Sequence, residues 1–165
     1  MKIPLLIFLT LFYVSGCGTD HNQLKSENHS HDHSEHHAHH HEPPHGGTVF
    51  RLGDELYHLE WVKDTEAGIM RCYVLDGHME NFVRIQQKAF EVSIPQADSD
   101  LLIWIFNAVE NRATGEKVGD TSEFHASLSE LTDQNKFEGK LLKVHIRGQE
   151  FENIDIKFPE GNETH

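Results

Sequence analysis

From Thr48 onward, apolar and polar residues alternate in short runs separated by turn-forming residues. A period of two places successive side chains on opposite faces, the signature of a half-buried strand. "TVFRLGDELYHLEWV" (48–62) predicts a hairpin with Gly53-Asp54 as a two-residue turn. "GIMRCYVL", "NFVRI", "KAFEVSI", "LLIWIFNAV", "SEFHAS", "GKLLKVHI" and "FENIDIKF" predict further strands. "RGQE" (147–150) predicts a tight connection between the last two. No long stretch has a helical period, and "SLSELTD" predicts one helical turn after Ser127. Many short strands at this spacing predict an all-β domain. The expected form is one Ig-like antiparallel β-sandwich of about seven to nine strands. A small closed barrel is the alternative.

The first hairpin can be worked through residue by residue. With Gly53-Asp54 as the turn, Leu52 faces Glu55, Phe50 faces Tyr57, Thr48 faces Leu59 and Gly46 faces Trp61. Val49 then faces His58, Gly47 faces Glu60 and His45 faces Val62. Directly paired side chains share a face. One face therefore carries Phe50, Leu52, Tyr57, Leu59 and Trp61, which is core. The other carries His45, Val49, Arg51, Leu56, His58, Glu60 and Val62.

Upstream of the hairpin the pattern changes twice. Lys2 followed by the apolar run Ile3–Val14 reads as a secretion signal, too short for a membrane span of about 20 residues. Val14-Ser15-Gly16-Cys17 resembles a bacterial lipobox, which implies cleavage before Cys17 and acylation of its thiol. Two or more acyl chains make a stable anchor, at about 0.8 kcal/mol per buried CH2. In enterobacterial lipoproteins an Asp after the cysteine favours inner-membrane retention, so with Gly18 there the resemblance implies, for a Gram-negative cell, the outer membrane facing the periplasm. Residues 17–43 are polar and cannot bury enough surface to offset ordering entropy, which predicts a disordered tether. The predicted organisation is a signal (1–16), the tether (17–43), the β-domain (44–158) and a flexible tail (159–165).

Composition narrows the classes of partner. The chain has 14 Lys+Arg against 27 Asp+Glu and a formal net charge of −13. Nucleic acid, which needs basic patches, is not an expected partner. With Cys17 acylated, Cys72 has no disulfide partner and reads as a buried thiol. No nucleophile elbow and no HExxH motif stands in the chain, so no enzyme class is predicted.

The 15 histidines carry the candidate chemistry. His29, His31, His33, His36, His37, His39, His40 and His41 fall in "HSHDHSEHHAHHHE", with Asp32, Glu35 and Glu42 between them. A flexible chain can wrap three or four imidazoles round one transition-metal ion without preformed geometry. Such binding weakens in acid, because the neutral imidazole is the ligand. In the folded part, the hairpin register places His45, His58 and Glu60 on one face, with space opposite Glu60 at Gly47. Two imidazoles and a carboxylate form an open site for Zn(II), Cu(II) or Ni(II), with His78, water or a tether imidazole as a fourth ligand. The competing expectation sets Glu60 opposite Arg71 as a cross-strand ion pair and leaves His58 on a solvated face. His125 and His145 read as surface or satisfied core histidines, and Asp76-Gly77 as a turn.

"PHGGTVFRLGDELYHLEWVKDTEAGIMRCYVLDG" (44–77) is similar to a segment of small secreted or lipid-anchored bacterial proteins. These carry His-Gly-Gly, Gly-Asp, Tyr-His-x-Glu and Tyr-x-Leu-Asp in order. Related segments occur near the start of periplasmic adaptor subunits of heavy-metal RND efflux pumps. The matching positions here are His45, Gly46, Gly47, His58 and Glu60. The resemblance covers about a third of the mature chain; "FEGKLLKVHIRGQEFENIDIKF" fits more loosely. It implies a β-sandwich and a metal-related envelope role, with an efflux or metal-handling protein as partner. The chain lacks the coiled-coil hairpin and lipoyl-like domain of an adaptor. The expected role is therefore a lipid-anchored metal-binding protein. The alternative is a non-catalytic interaction lipoprotein whose His-rich tether acts as a spacer or pH-responsive linker.

Overall fold

The computed structural model describes residues 42–97, 100–131 and 135–162. These contain β1 (Thr48–Leu52), β2 (Tyr57–Asp64), β3 (Ile69–Asp76), β4 (Ala89–Pro95), β5 (Leu101–Ala108), β6 (Glu123–Ser127), β7 (Phe137–Ile146) and β8 (Gln149–Phe158). The all-β expectation holds, with eight strands in the order β1-β2-β3-β6-β5-β4-β7-β8. Every neighbouring pair is antiparallel. The order is one continuous sheet rather than the two separate sheets expected of an Ig-like sandwich.

The inward residues of distant strands meet, so the sheet curls round a single core. Trp61 of β2 lies 5.8 Å from Trp104 and 4.7 Å from Phe106, both on β5, and 6.4 Å from Phe137 of β7. Phe90 stacks on Phe106, and Phe137 on Phe158. Offset and edge-on aromatic pairs of this kind add to the apolar area they bury. Phe50, Leu52, Leu59 and Trp61 are fully or almost fully buried, as their alternation predicts, and Tyr57 packs half-buried against this core. Cys72 is also fully buried and free, and burial pushes its thiol pKa up.

Three local expectations are corrected. The first turn has four residues, not two: Leu52 pairs with Tyr57, and the Leu56 N–H donates to the Leu52 carbonyl. Gly53 and Glu55 both take positive φ there, at 61° each. The segment "NFVRI" is not a strand. It makes only the isolated bridges Leu75↔Phe82 and Ile85↔Thr121, because the chain from Asp76 folds back on β3. By contrast, the "RGQE" turn, with Arg147 and Gly148 at positive φ, and a short 3-10 turn at Leu128–Leu131 lie where expected.

The third correction concerns residues 159–162, part of the 159–165 segment expected to be a flexible tail; residues 163–165 lie outside the described residues. Pro159–Asn162 pack along β1, one end of the strand order. The Asn162 side-chain oxygen accepts from the Arg51 N–H at 2.7 Å, and its amide nitrogen donates to the Arg51 carbonyl at 3.1 Å. A primary amide has one acceptor and one donor arm, as a neighbouring strand residue would, so Asn162 pairs the edge of β1. The Thr48 hydroxyl adds a bond to the Pro159 carbonyl. Asn162→Ala is expected to lower stability by about 1–2 kcal/mol, read as a reduced urea midpoint with an unchanged slope.

Candidate functional site

The sequence Pro43-Pro44-His45-Gly46 forms a turn in which the Gly46 N–H donates to the Pro43 carbonyl at 3.0 Å. Proline suits the second position of such a turn, and Gly46 takes φ +66°, which a side chain would resist. Gly47 then runs close to β2. A Cβ there would lie 2.6 Å from the Trp61 carbonyl oxygen and 2.9 Å from Glu60 Cγ. Only glycine lets this backbone approach so closely.

Glu60 is the reason for the close approach. Its side chain is 0% exposed although it sits on the outer face of β2, away from the main core. Oε1 accepts from the His45 N–H at 2.8 Å and the Gly47 N–H at 2.9 Å. Oε2 accepts from His45 Nδ1 at 2.8 Å. A buried carboxylate is tolerated where donors replace its water, and these three do so.

The arrangement sets the state of His45. A carboxylate only accepts, so the hydrogen on the neutral ring lies on Nδ1 and the lone pair on Nε2. The ring stacks on Tyr73 of β3, with centroids 4.0 Å apart and planes at 17°. Phe82 closes on both, at 5.7 Å from His45 and 5.9 Å from Tyr73. The His45 side chain keeps 36% of its surface exposed, and no described residue hydrogen-bonds to Nε2. Chemically, this is a fixed imidazole presenting one nitrogen lone pair, the way carboxylate-held histidines present themselves to metal ions.

The hairpin register differs from expectation by two positions. Val49 pairs with Glu60, Arg51 with His58 and Thr48 with Trp61. A shift of two leaves every side chain on its expected face. His45 precedes β1 and reaches Glu60 through the turn, not through a ladder pair. His58 shares the outer face but is only 3% exposed, and its Nδ1 lies 3.2 Å from the Asp76 carbonyl oxygen. The solvated face expected for it is covered. Leu75 and Met79 are buried beside this segment yet stand outside the main core.

His78 is exposed in the connection after β3, where the Asp76 carboxylate accepts from the Glu80 and Asn81 N–H groups and from the Asn81 side chain. Asp76 and Gly77 thus form the expected turn. Of the four folded-domain candidates, only His45 and Glu60 are joined. Among the described residues no three His, Cys, Asp or Glu side chains are grouped to hold one ion. Cys17 and the eight tether histidines, His29, His31, His33, His36, His37, His39, His40 and His41, lie outside the described residues.

Glu60 faces Tyr73, and Arg71 faces Val62, so the expected Glu60–Arg71 ion pair does not form. Arg71 instead bridges Asp64 at 2.9 Å and Glu123 at 3.1 Å. Glu123 also accepts from His125 at 2.7 Å. The His125 contact, then Arg71, hold the Glu123 carboxyl below its ordinary range. The Ala67 N–H and Arg71 do the same for Asp64. His145 is an exposed partner of Glu150. Tyr73 and Phe82, which wall the His45 ring, escape sequence reasoning; Tyr73 entered it only as part of the strand "GIMRCYVL" and Phe82 only as part of "NFVRI".

No protein-family model, no curated protein and no solved structure matches this chain.

Two outcomes follow from these contacts. Glu60→Ala strands the His45 and Gly47 N–H groups and is expected to cost about 1–3 kcal/mol in urea unfolding. The carboxyl shifts predict the acid response. Asp64 and Glu123 have folded pKa values below their unfolded ones, so their contribution is full above the unfolded values. It is lost as pH falls through the folded values. The urea midpoint should therefore decline below about pH 4.5, and Arg71→Met should flatten that decline.

Proposed function

We propose that the protein is a lipid-anchored component of the cell envelope that binds transition-metal ions, buffering or sequestering them or delivering them to an efflux system. The observation that carries this reading is the His45 ring, held by a buried carboxylate with Nε2 available. The eight-histidine run upstream supplies the capacity. Zn(II), Cu(II) and Ni(II) all suit imidazole, and the ions are cargo rather than parts of a reaction centre. The lipobox at Val14–Cys17 supports the anchor and a position facing the periplasm. The similarity of residues 44–77 to efflux-adaptor segments supports a metal-handling partner. The reading is non-enzymatic.

A second reading has an observation of its own. No three ligand side chains converge among the described residues, while Leu101, Ile103 and Ile105 stand exposed along β5. A binding module whose tether is a spacer would look like this.

Equilibrium dialysis separates the two. The detergent-solubilised protein is expected to hold two or three Zn(II), Cu(II) or Ni(II) ions, at about three or four imidazoles per ion. A variant lacking residues 29–41 should lose most of them. Cells carrying that deletion should grow less well in excess metal. Failure of the intact protein to bind these ions would end the metal reading, and unchanged tolerance would favour the spacer.

A further inference from the structure

The two ends of the strand order are guarded. Asn162 pairs the edge of β1, and β8 carries Glu150, Glu152, Asp155 and Lys157 at exposed positions. Charges on an edge strand discourage another chain from pairing with it. Inside the order lies a third edge without such a guard. β5 pairs with β4 from Leu101 to Asn107, but with β6 only at Asn107 and Ala108. The next rung would set Ile105 opposite Ser127. There the Ser127 carbonyl accepts instead from the Trp104 indole N–H at 2.7 Å, and the chain leaves β6 for the 3-10 turn at Leu128. The sheet therefore splits locally beside β5.

Two bonds fix which way the β5 backbone points. The Ala108 N–H donates to the Lys88 carbonyl on the β4 side, and the Val109 N–H to the Glu123 carbonyl on the β6 side. Successive residues of a strand turn their N–H and C=O groups to opposite edges. Counted back through the unbroken β4–β5 register, Leu101, Ile103 and Ile105 turn theirs to the split. Among the described residues no backbone group pairs with them there. Their side chains are 59%, 37% and 42% exposed. The same three residues thus present backbone donors and acceptors along an edge and apolar side chains beside it. An extended strand is the partner that meets both.

Charge indicates whose strand it is. β5, "LLIWIFNA", has no charged residue, while the chain carries a formal net charge of −13. Two copies repel over most of their surface and meet the least repulsion at such a stripe. Glu91, opposite Ile105, stands one strand back from the edge. β5 is also complementary to itself. About a two-fold axis through Ile103, antiparallel pairing sets Ile103 against its counterpart and Leu101 against Ile105 of the other copy. Each of these pairs exchanges both N–H···O bonds, and their apolar side chains share the outer face.

We propose that two copies of the chain associate through β5 by antiparallel strand pairing centred on Ile103. The contact is isologous, so it consumes the open edge and stops at two copies. It uses no residue of the His45 site or of the His-rich run, and so stands with either functional reading.

The experiment is sedimentation equilibrium of the detergent-solubilised full chain, with the detergent density-matched and micelles in excess over protein. The wild type should show a monomer–dimer equilibrium in the micromolar range, as suits a small interface. Ile103→Lys and Ile103→Glu each set like charges face to face across the axis and should weaken association at least about tenfold. Ile103 points outward, so both variants should keep the urea midpoint that the wild type has when dilute and monomeric. An equimolar mixture of the two sets a lysine against a glutamate and should restore the dimer. A wild type that stays monomeric through this range would overturn the proposal and leave the edge to a strand of another protein. A dimer undiminished in Ile103→Lys, or a mixture no more dimeric than its parts, would overturn it as well.

Discussion

A carboxylate sits where no water reaches it, and the candidate site is arranged round that fact. Glu60 is completely buried on the outer side of β2, and its charge has to be met by donors. The donors are the backbone N–H groups of His45 and Gly47 and the Nδ1–H of His45. Meeting them requires the chain before β1 to turn sharply and lie against β2. Pro44 and Gly46 suit the turn, and Gly47 permits the contact. The same bonds give the imidazole one orientation and leave Nε2 as its outward atom.

The platform beneath is stiff for a separate reason. The eight strands form one antiparallel order that curls round an aromatic core, with Trp61 on the inner face directly after Glu60 on the outer one. Alternation along β2 thus puts one of the core's two tryptophan rings and the buried carboxylate on neighbouring residues. Displacing one would disturb the other. The Asn162 side chain, pairing the edge of β1, secures the strand that follows His45 and Gly47.

The period of two was enough to find the β class, all eight strands and the inner faces of β1 and β2, and it added one strand, "NFVRI", that does not form. It survived a wrong turn length, because a four-residue turn shifts the register by two and a shift of two preserves the face. His45 and Glu60 were therefore correctly assigned to one side. What the alternation could not show was the path of residues before the ladder. The turn signal in "PPHGG" was present, but its consequence depends on where Glu60 points. Glu60 thus read as a ligand or as an Arg71 partner, when it is the group that holds His45. His58 read as a metal ligand or as a residue on a solvated face; instead it is buried, with its ring against the Asp76 carbonyl oxygen where the chain turns back on β3. Residues 159–165 read as a flexible tail, yet a single amide, that of Asn162, suffices to pair the edge of β1.

The central claim is that Glu60 sets the ring state of His45 and so leaves Nε2 as the nitrogen that the proposed metal binding would use. A two-bond proton–nitrogen NMR spectrum of the histidine rings tests it directly, with Zn(II) added stepwise at neutral pH. The account predicts that His45 carries its hydrogen on Nδ1 and that the Nε2 resonance moves as Zn(II) is added. A His45 ring with its hydrogen on Nε2, or one whose Nε2 ignores Zn(II) while tether histidines respond, would contradict it.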